Sequence, residues 1–125
     1  EQCLLYSNAG HPYPLFYQDS SNEIIDLKVD GTLLSVHKDS EYSYQRSNFT
    51  PQDRVIMYTD GLFDMKNQNG EFIPFEYIHQ LTKDSADTGG YEFIDRLINR
   101  LYQFSDNEKF DDDINLIVID FTQVS

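Results

Sequence analysis

Arg54-Val55-Ile56-Met57-Tyr58-Thr59 is the most continuous apolar run in the first half of the chain, and it stops abruptly at Asp60-Gly61. Apolar residues that do not alternate with polar ones describe a strand covered on both faces. A counterpart lies near the C terminus, where Ile114-Asn115-Leu116-Ile117-Val118-Ile119 follows Asp112-Asp113 and is too apolar for a solvated edge. The second strand is expected to pair back into the sheet formed by the first half. Working outward from these two runs gives the rest of the fold.

Upstream, short apolar or alternating runs are separated by turn chemistry, which is the pattern of antiparallel strands. Leu4 to Ser7 is the first run, and Asn8-Ala9-Gly10-His11-Pro12 then breaks regular structure before Leu15-Phe16-Tyr17 resumes it. Ser20-Ser21-Asn22 leads to a strand at Ile24 to Leu27, and Asp30-Gly31 leads to another at Leu33 to Val36. Tyr42, Tyr44 and Arg46 alternate with Ser43, Gln45 and Ser47, a period of two that puts the aromatics on one face. Downstream, Pro74 suits a first helical position for Phe75 to Lys83, with Phe75, Ile78 and Leu81 on one stripe. A second helix is expected over Tyr91 to Phe104, where Phe93, Ile94, Leu97, Ile98, Leu101 and Tyr102 make a broad apolar face. Ser105 to Asp113 reads as a charged loop. Strands, then two helices, then a closing strand make an α+β domain with helices over one face of an antiparallel sheet.

Composition narrows the function classes. The 125 residues carry 22 acids against 9 bases, a formal charge of −13, which excludes a generic nucleic-acid binder because phosphate contacts need a basic footprint. Acids are concentrated toward the end, with 13 against 5 bases in residues 61–125. No run approaches the roughly 18 apolar residues of a membrane span, and no signal-peptide pattern opens the chain, so the expectation is a soluble, cytoplasmic protein. With 39% hydrophobic residues, nine Phe and nine Tyr, there is enough material for one core. Lone Cys3 sits in an apolar run and is expected to be a buried, inert thiol in a reducing compartment. The first residue is Glu1, and strand-like Cys3-Leu4-Leu5-Tyr6 follows at once, so the chain is expected to begin inside a longer protein.

The chemistry-bearing residues stand at strand ends. Asp60 lies where one buried strand stops and Gly61 permits a sharp turn, while Asp112 and Asp113 lie just before the other. If the two strands are antiparallel neighbours, the three carboxylates converge, and like charges so close favour a hard divalent cation between them. The alternative is that Asp-Gly is a common turn dipeptide and the Asp run a solvated loop. Asn67-x-Asn69-Gly70 with Glu76 imitates part of an EF-hand loop, but Met65 holds the first ligand position and Pro74 interrupts it. His11, His37 and His79 are widely separated, and no glycine-rich phosphate loop is present.

A resemblance adds what spacing cannot. Tyr6-Ser7-Asn8-Ala9-Gly10-His11-Pro12-Tyr13-Pro14-Leu15, Gly31-Thr32-Leu33-Leu34, Tyr58-Thr59-Asp60-Gly61-Leu62, Asn69-Gly70-Glu71-Phe72 and Asp112-Asp113-Ile114-Asn115-Leu116 occur in this order across nearly the whole chain. The set resembles the C-terminal half of a bacterial PP2C-like (PPM) serine/threonine phosphatase domain of the SpoIIE and RsbU branch. That resemblance implies an αββα sandwich, with residues 1–125 a partial domain lacking its N-terminal half. It implies two Mn²⁺ or Mg²⁺ ions and hydrolysis of phosphoserine or phosphothreonine by a metal-activated water, without a phosphoenzyme. The catalytic metal ligands it implies are Asp60 and Asp112. Asp64 falls where some members hold an additional metal, and Asp113 takes the next place as a candidate ligand or hydrogen-bonding neighbour. Asn8, Gly10 and His11, with Gly61, would shape the site. The implied partner is a phosphorylated regulatory protein such as an anti-anti-sigma factor in sigma-factor partner switching, with a dimer possible and neither nucleic acid nor membrane insertion involved.

The departures matter too. The family's Gly-Asp metal motif would lie before Glu1. Within the chain, Ser35, Gln52-Asp53 and Ile73-Pro74 replace family residues at turns. These differences support an alternative of another class, a non-catalytic signalling module that keeps the fold as a partner-binding surface. A third reading is an α+β fragment whose acids only solvate it.

Overall fold

The computed structural model describes residues 2–106, 110 and 112–123. Their elements run β1 (Cys3–Tyr6), β2 (Leu15–Gln18), β3 (Glu23–Asp26), β4 (Gln45–Asn48), β5 (Arg54–Tyr58), a 3-10 turn (Asp60–Leu62), α1 (Phe75–Asp84), α2 (Gly90–Phe104) and β6 (Leu116–Asp120). An antiparallel sheet in the order β3-β2-β5-β6 forms the centre, and β1 and β4 pair separately as a two-stranded ribbon. Of the charged loop expected over residues 105–113, residues 107–109 and 111 lie outside the described residues.

Side-chain alternation divides the central sheet into two faces. Leu15, Ile56 and Val118 are register partners across β2, β5 and β6 and turn toward the helices. In α2, Phe93, Leu97 and Leu101 recur every four residues and are at most 1% exposed, so the helix forms because one stripe must be covered. Each such side chain contributes about 1.5–3 kcal/mol of burial. The next register row, Phe16, Val55 and Ile119, faces the opposite way. There Phe16, Val55 and Leu27 form a second cluster with Leu4 and Tyr6 of β1. The expected single core is thus two cores separated by a sheet, giving helix, sheet and ribbon layers.

One half-buried ion pair ties the sheet to the helix layer. Arg54 of β5 donates through Nε to Asp120 Oδ1 of β6 and through Nη2 to the Thr88 carbonyl ahead of α2. Its guanidinium lies 4.2 Å from the Phe93 ring centroid, a cation-π contact inside the helix-facing core. The Asp120 carboxylate also sits at the N-terminal end of α2, whose cap residue Gly89 has no side chain to satisfy the first amides.

Several expectations are corrected. Leu33 to Val36 is not a strand but turns and bends, and Leu33, Leu34 and Val36 are exposed. The strand expected from Tyr42 starts only at Gln45, because its partner β1 ends at Tyr6, opposite Gln45, where the Asn8 loop turns away. Cys3 is exposed rather than buried, since the ribbon is only half covered. Phe75 does not join Ile78 and Leu81 in the core; it is 48% exposed. Pro74 is the N-cap of α1 rather than its first residue. The closing strand β6 does pair with β5, but among the described residues it is an edge, with Ile117 and Ile119 exposed on the face that the ribbon covers only in part.

Candidate functional site

Antiparallel pairing of β5 with β6 sets Tyr58 opposite Leu116, so the segment leaving β5 runs beside the segment entering β6. Thr59 joins them: its amide donates to the Asn115 carbonyl at 3.1 Å, and its hydroxyl accepts from the Asn115 amide at 3.0 Å. The hydroxyl also donates to the Asp113 carbonyl at 3.3 Å. A 3-10 turn begins at Asp60, whose Oδ1 accepts from the Gly61 amide at 3.1 Å. The Asp60 carbonyl accepts from the amides of Phe63 and Asp64 at 2.8 and 3.3 Å, which places Asp64 one turn beyond Asp60.

Gly61 is required by a close approach rather than by its own dihedral angles. A Cβ at this position would lie 2.5 Å from the Asp113 carbonyl oxygen and 3.5 Å from Asp112 Cβ. The backbone at Asp60-Gly61 is therefore pressed against Asp112-Asp113, as the two-strand reading requires. Asp112 Oδ1 accepts from the Asp113 amide at 2.8 Å.

All four carboxylates, on Asp60, Asp64, Asp112 and Asp113, belong to exposed residues at the sheet rim. Among the described residues none of them is ion-paired. Among those same residues no group of three or more His, Cys, Asp or Glu side chains is arranged to hold a metal ion, so the backbone segments meet while a three-carboxylate cage does not form from them. The donor set is nonetheless of the right kind: hard, anionic oxygens without competing cations suit Mg²⁺ or Mn²⁺.

The Asn8 to His11 loop is built as a closed turn. Asn8 is buried; its Nδ2 donates to the His11 carbonyl and its Oδ1 accepts from the His11 amide, both at 2.8 Å. Gly10 has φ of 84°, which favours glycine, and Gly31 packs so tightly that a Cβ there would lie 1.7 Å from the Asn8 carbonyl oxygen. His11 itself is exposed, with Nδ1 2.7 Å from the Pro12 carbonyl. Pro12 and Tyr13 line a hollow shared with this loop and a second one beside Asp60. The Tyr13 hydroxyl donates to Asp30 Oδ1, holding the two loops together. The EF-hand-like segment is a plain turn: Asn67 Oδ1 accepts from the Asn69 and Glu71 amides at 3.0 Å each, and Lys66 bridges to Phe72.

Sequence reading did not single out Tyr13, Asp26, Tyr58, Phe63 or Phe75 as neighbours of Asp60, yet they surround it. Burial, then the nearby Asp26 charge, pushes the Tyr58 hydroxyl pKa up to about 12. Asp26 reaches this rim from the far end of β3, which no spacing in the sequence announces.

Two sheets, two helices on one side and a rim of aspartates at the β5-β6 end define a PP2C-like phosphatase fold. The SiaA-PP2C domain of Pseudomonas aeruginosa is similar with a TM-score of 0.75 at 16% identity, over 96% of this chain and 47% of that one. The catalytic domain of the serine/threonine protein phosphatase PstP, solved in complex with two manganese ions, is similar with a TM-score of 0.65 at 15% identity, over 98% and 55%. The family model for Stage II sporulation protein E (SpoIIE) matches residues 1–122, and the chain belongs to that family. A curated relative, phosphoserine phosphatase RsbP of Bacillus subtilis (strain 168), is 27% identical over 118 residues. The match takes in 94% of this chain but only 27% of RsbP. The chain thus spans about a quarter of that relative and about half of each solved domain.

Proposed function

We propose that residues 1–125 are the C-terminal part of a metal-dependent protein serine/threonine phosphatase domain. Asp60 and Asp112 would hold Mn²⁺ or Mg²⁺, Asp64 would serve a further ion, and Asp113 would act as a neighbouring ligand or hydrogen-bonding group. When bound, the ion pair supplies an activated water and neutralises charge on the phosphoryl oxygens. The chain's own residues carry the rest. Asp60 keeps a carboxylate at the end of a rigid buried strand, Gly61 lets the Asp112 segment approach, and Thr59 locks the two segments in register. Asn8, Gly10 and His11 shape the adjoining wall.

The observation that carries this reading is the close contact of the Asp60-Gly61 turn with Asp112-Asp113, two sequence-distant acidic segments brought together by one strand pairing. Membership of a family with a phosphoserine phosphatase relative supports a phosphoserine or phosphothreonine substrate on a regulatory protein, of the anti-anti-sigma kind. The Asp60→Asn variant of the full-length protein should lose Mn²⁺-dependent phosphate release by orders of magnitude with its circular dichroism unchanged. Unchanged turnover removes Asp60 from the mechanism.

A second reading is favoured by the lack, among the described residues, of a three-donor cage. In it the fold is a non-catalytic module that binds a partner. Calorimetry separates the two: tight binding of an unphosphorylated partner without metal supports the module, and Mn²⁺ binding coupled to phosphopeptide binding supports the enzyme.

A further inference from the structure

Beside Asp60 opens a hollow of about 310 Å³ whose apolar lining is mostly aromatic: Tyr13, Tyr58, Phe63 and Phe75. Phe75 stacks on Phe63 with ring centroids 4.1 Å apart and planes at 19°, and Phe63 meets Tyr58 edge-on at 5.2 Å. Tyr58 is buried at the base of this series, whereas Phe75 at its mouth is 48% exposed at the first turn of α1. A half-exposed phenyl ring held flat by a neighbour is a preformed contact surface for another apolar side chain.

The rim decides what that side chain belongs to. Asp26 stands there with Asp60 and Asp64, and among the described residues no Lys or Arg lines the hollow. Lys28, 69% exposed, lies 3.9 Å from Asp26, too loosely placed to neutralise the rim. Asp26 lies outside the four carboxylates proposed for metal, so its charge stays available. An acidic segment would be repelled, and an apolar residue accompanied by a cation fits.

Resting on the phosphatase reading, we propose that this hollow is a specificity subsite for the segment flanking the phosphorylated residue. It receives an aromatic or bulky aliphatic side chain against Phe75 and Phe63, and a Lys or Arg of the same segment lies beside Asp26.

The test uses three synthetic phosphoserine peptides with the full-length Mn²⁺-loaded protein: one with Phe and Lys beside the phosphoserine, one with Ala for Phe, one with Glu for Lys. Replacing Phe should lower kcat/KM about tenfold, chiefly through KM, as expected for losing a partly buried aromatic contact. The Phe-to-Ala preference should collapse in Phe75→Ala and persist in Phe75→Tyr, while Asp26→Asn should erase the Lys-to-Glu preference. Equal rates for all peptides, or a preference that survives Phe75→Ala, overturns the proposal. If no peptide is hydrolysed, the phosphatase reading fails, and fluorescence anisotropy of the same peptides then judges the subsite. Tighter binding of the Phe peptide, lost in Phe75→Ala, upholds it, and equal binding overturns it. A dimer that Phe75→Ala dissociates would seat a second copy in the hollow and also overturn it.

Discussion

Gly61→Ala is the sharpest probe of the idea that one backbone contact organises the site. The added Cβ would sit 2.5 Å from the Asp113 carbonyl oxygen, and 3.3 Å from its carbon, so neither neighbour is a flexible side-chain tip that can swing aside. Real Cβ atoms essentially never come within 3.0 Å, so Asp112-Asp113 must retreat by half an ångström or more. Gly61 is buried and Thr59 ties its turn to Asp113 and Asn115, and overpacking of this kind costs about 1–3 kcal/mol. For a chain of this size that lowers Tm by roughly 4–12 °C. The same shift moves Asp112 from Asp60, and misplacing groups that orient a metal site weakens affinity about 10–100-fold. Thermal melts by circular dichroism give the first number, and Mn²⁺ titration calorimetry well below both midpoints gives the second. Gly70→Ala is the control: its φ of 76° makes Ala strained, but nothing lies within 4 Å. It should cost about 1–2 kcal/mol and leave Mn²⁺ affinity alone. A Gly61→Ala protein that melts and binds Mn²⁺ like the parent refutes the reasoning. Equal loss of affinity in Gly70→Ala would assign the effect to stability rather than geometry, and absent binding in the parent would sink the metal reading while leaving the melt interpretable.

Arg54→Met should destabilise by about 2–3 kcal/mol in urea unfolding, because it strands Asp120 and the Thr88 carbonyl; Asp120 is a third exposed, which keeps the loss below that of a fully buried pair. A loss under about 0.5 kcal/mol, the range of ordinary surface changes, would mean the pair does not hold β5 and β6 to α2. The Tyr58 hydroxyl is pushed up to about 12 from 10.0 because burial favours its neutral form. Its contribution is therefore complete below pH 10 and lost as pH rises toward 12, so Tyr58→Phe should flatten the decline of stability across that window. An identical decline in both proteins would count against it. Exposed Cys3 should react with a thiol reagent in the native protein at a rate that urea below the unfolding transition does not change. Reaction only on unfolding would restore the buried thiol.

Local pattern made much of this fold legible. The largely apolar runs at 54–59 and 114–119 appear as the paired strands β5 and β6, and the four-residue repeat of Phe93, Leu97 and Leu101 appears as the buried stripe of α2. These signals survive because each is dictated by what a strand or helix must bury on its own. Alternation misled where a strand needed a partner that was not there. Tyr42 and Tyr44 have the right period but lie beyond the end of β1, and Leu33 to Val36 has no described strand to pair with.

The amino-acid order by itself determined the two helices and most of the strands, the ordered motifs that mark the SpoIIE family and the aspartates at strand ends, since these depend on residues close in sequence. Tertiary structure alone decided which ends meet. Register between β5 and β6 presses Gly61 onto Asp113, the return of β3 brings Asp26 beside Tyr58, and the start of α1 lays Phe75 over Phe63. The physical reason is that pairing and layer packing act between residues tens of positions apart, where hydrophobic periodicity carries no information about neighbours.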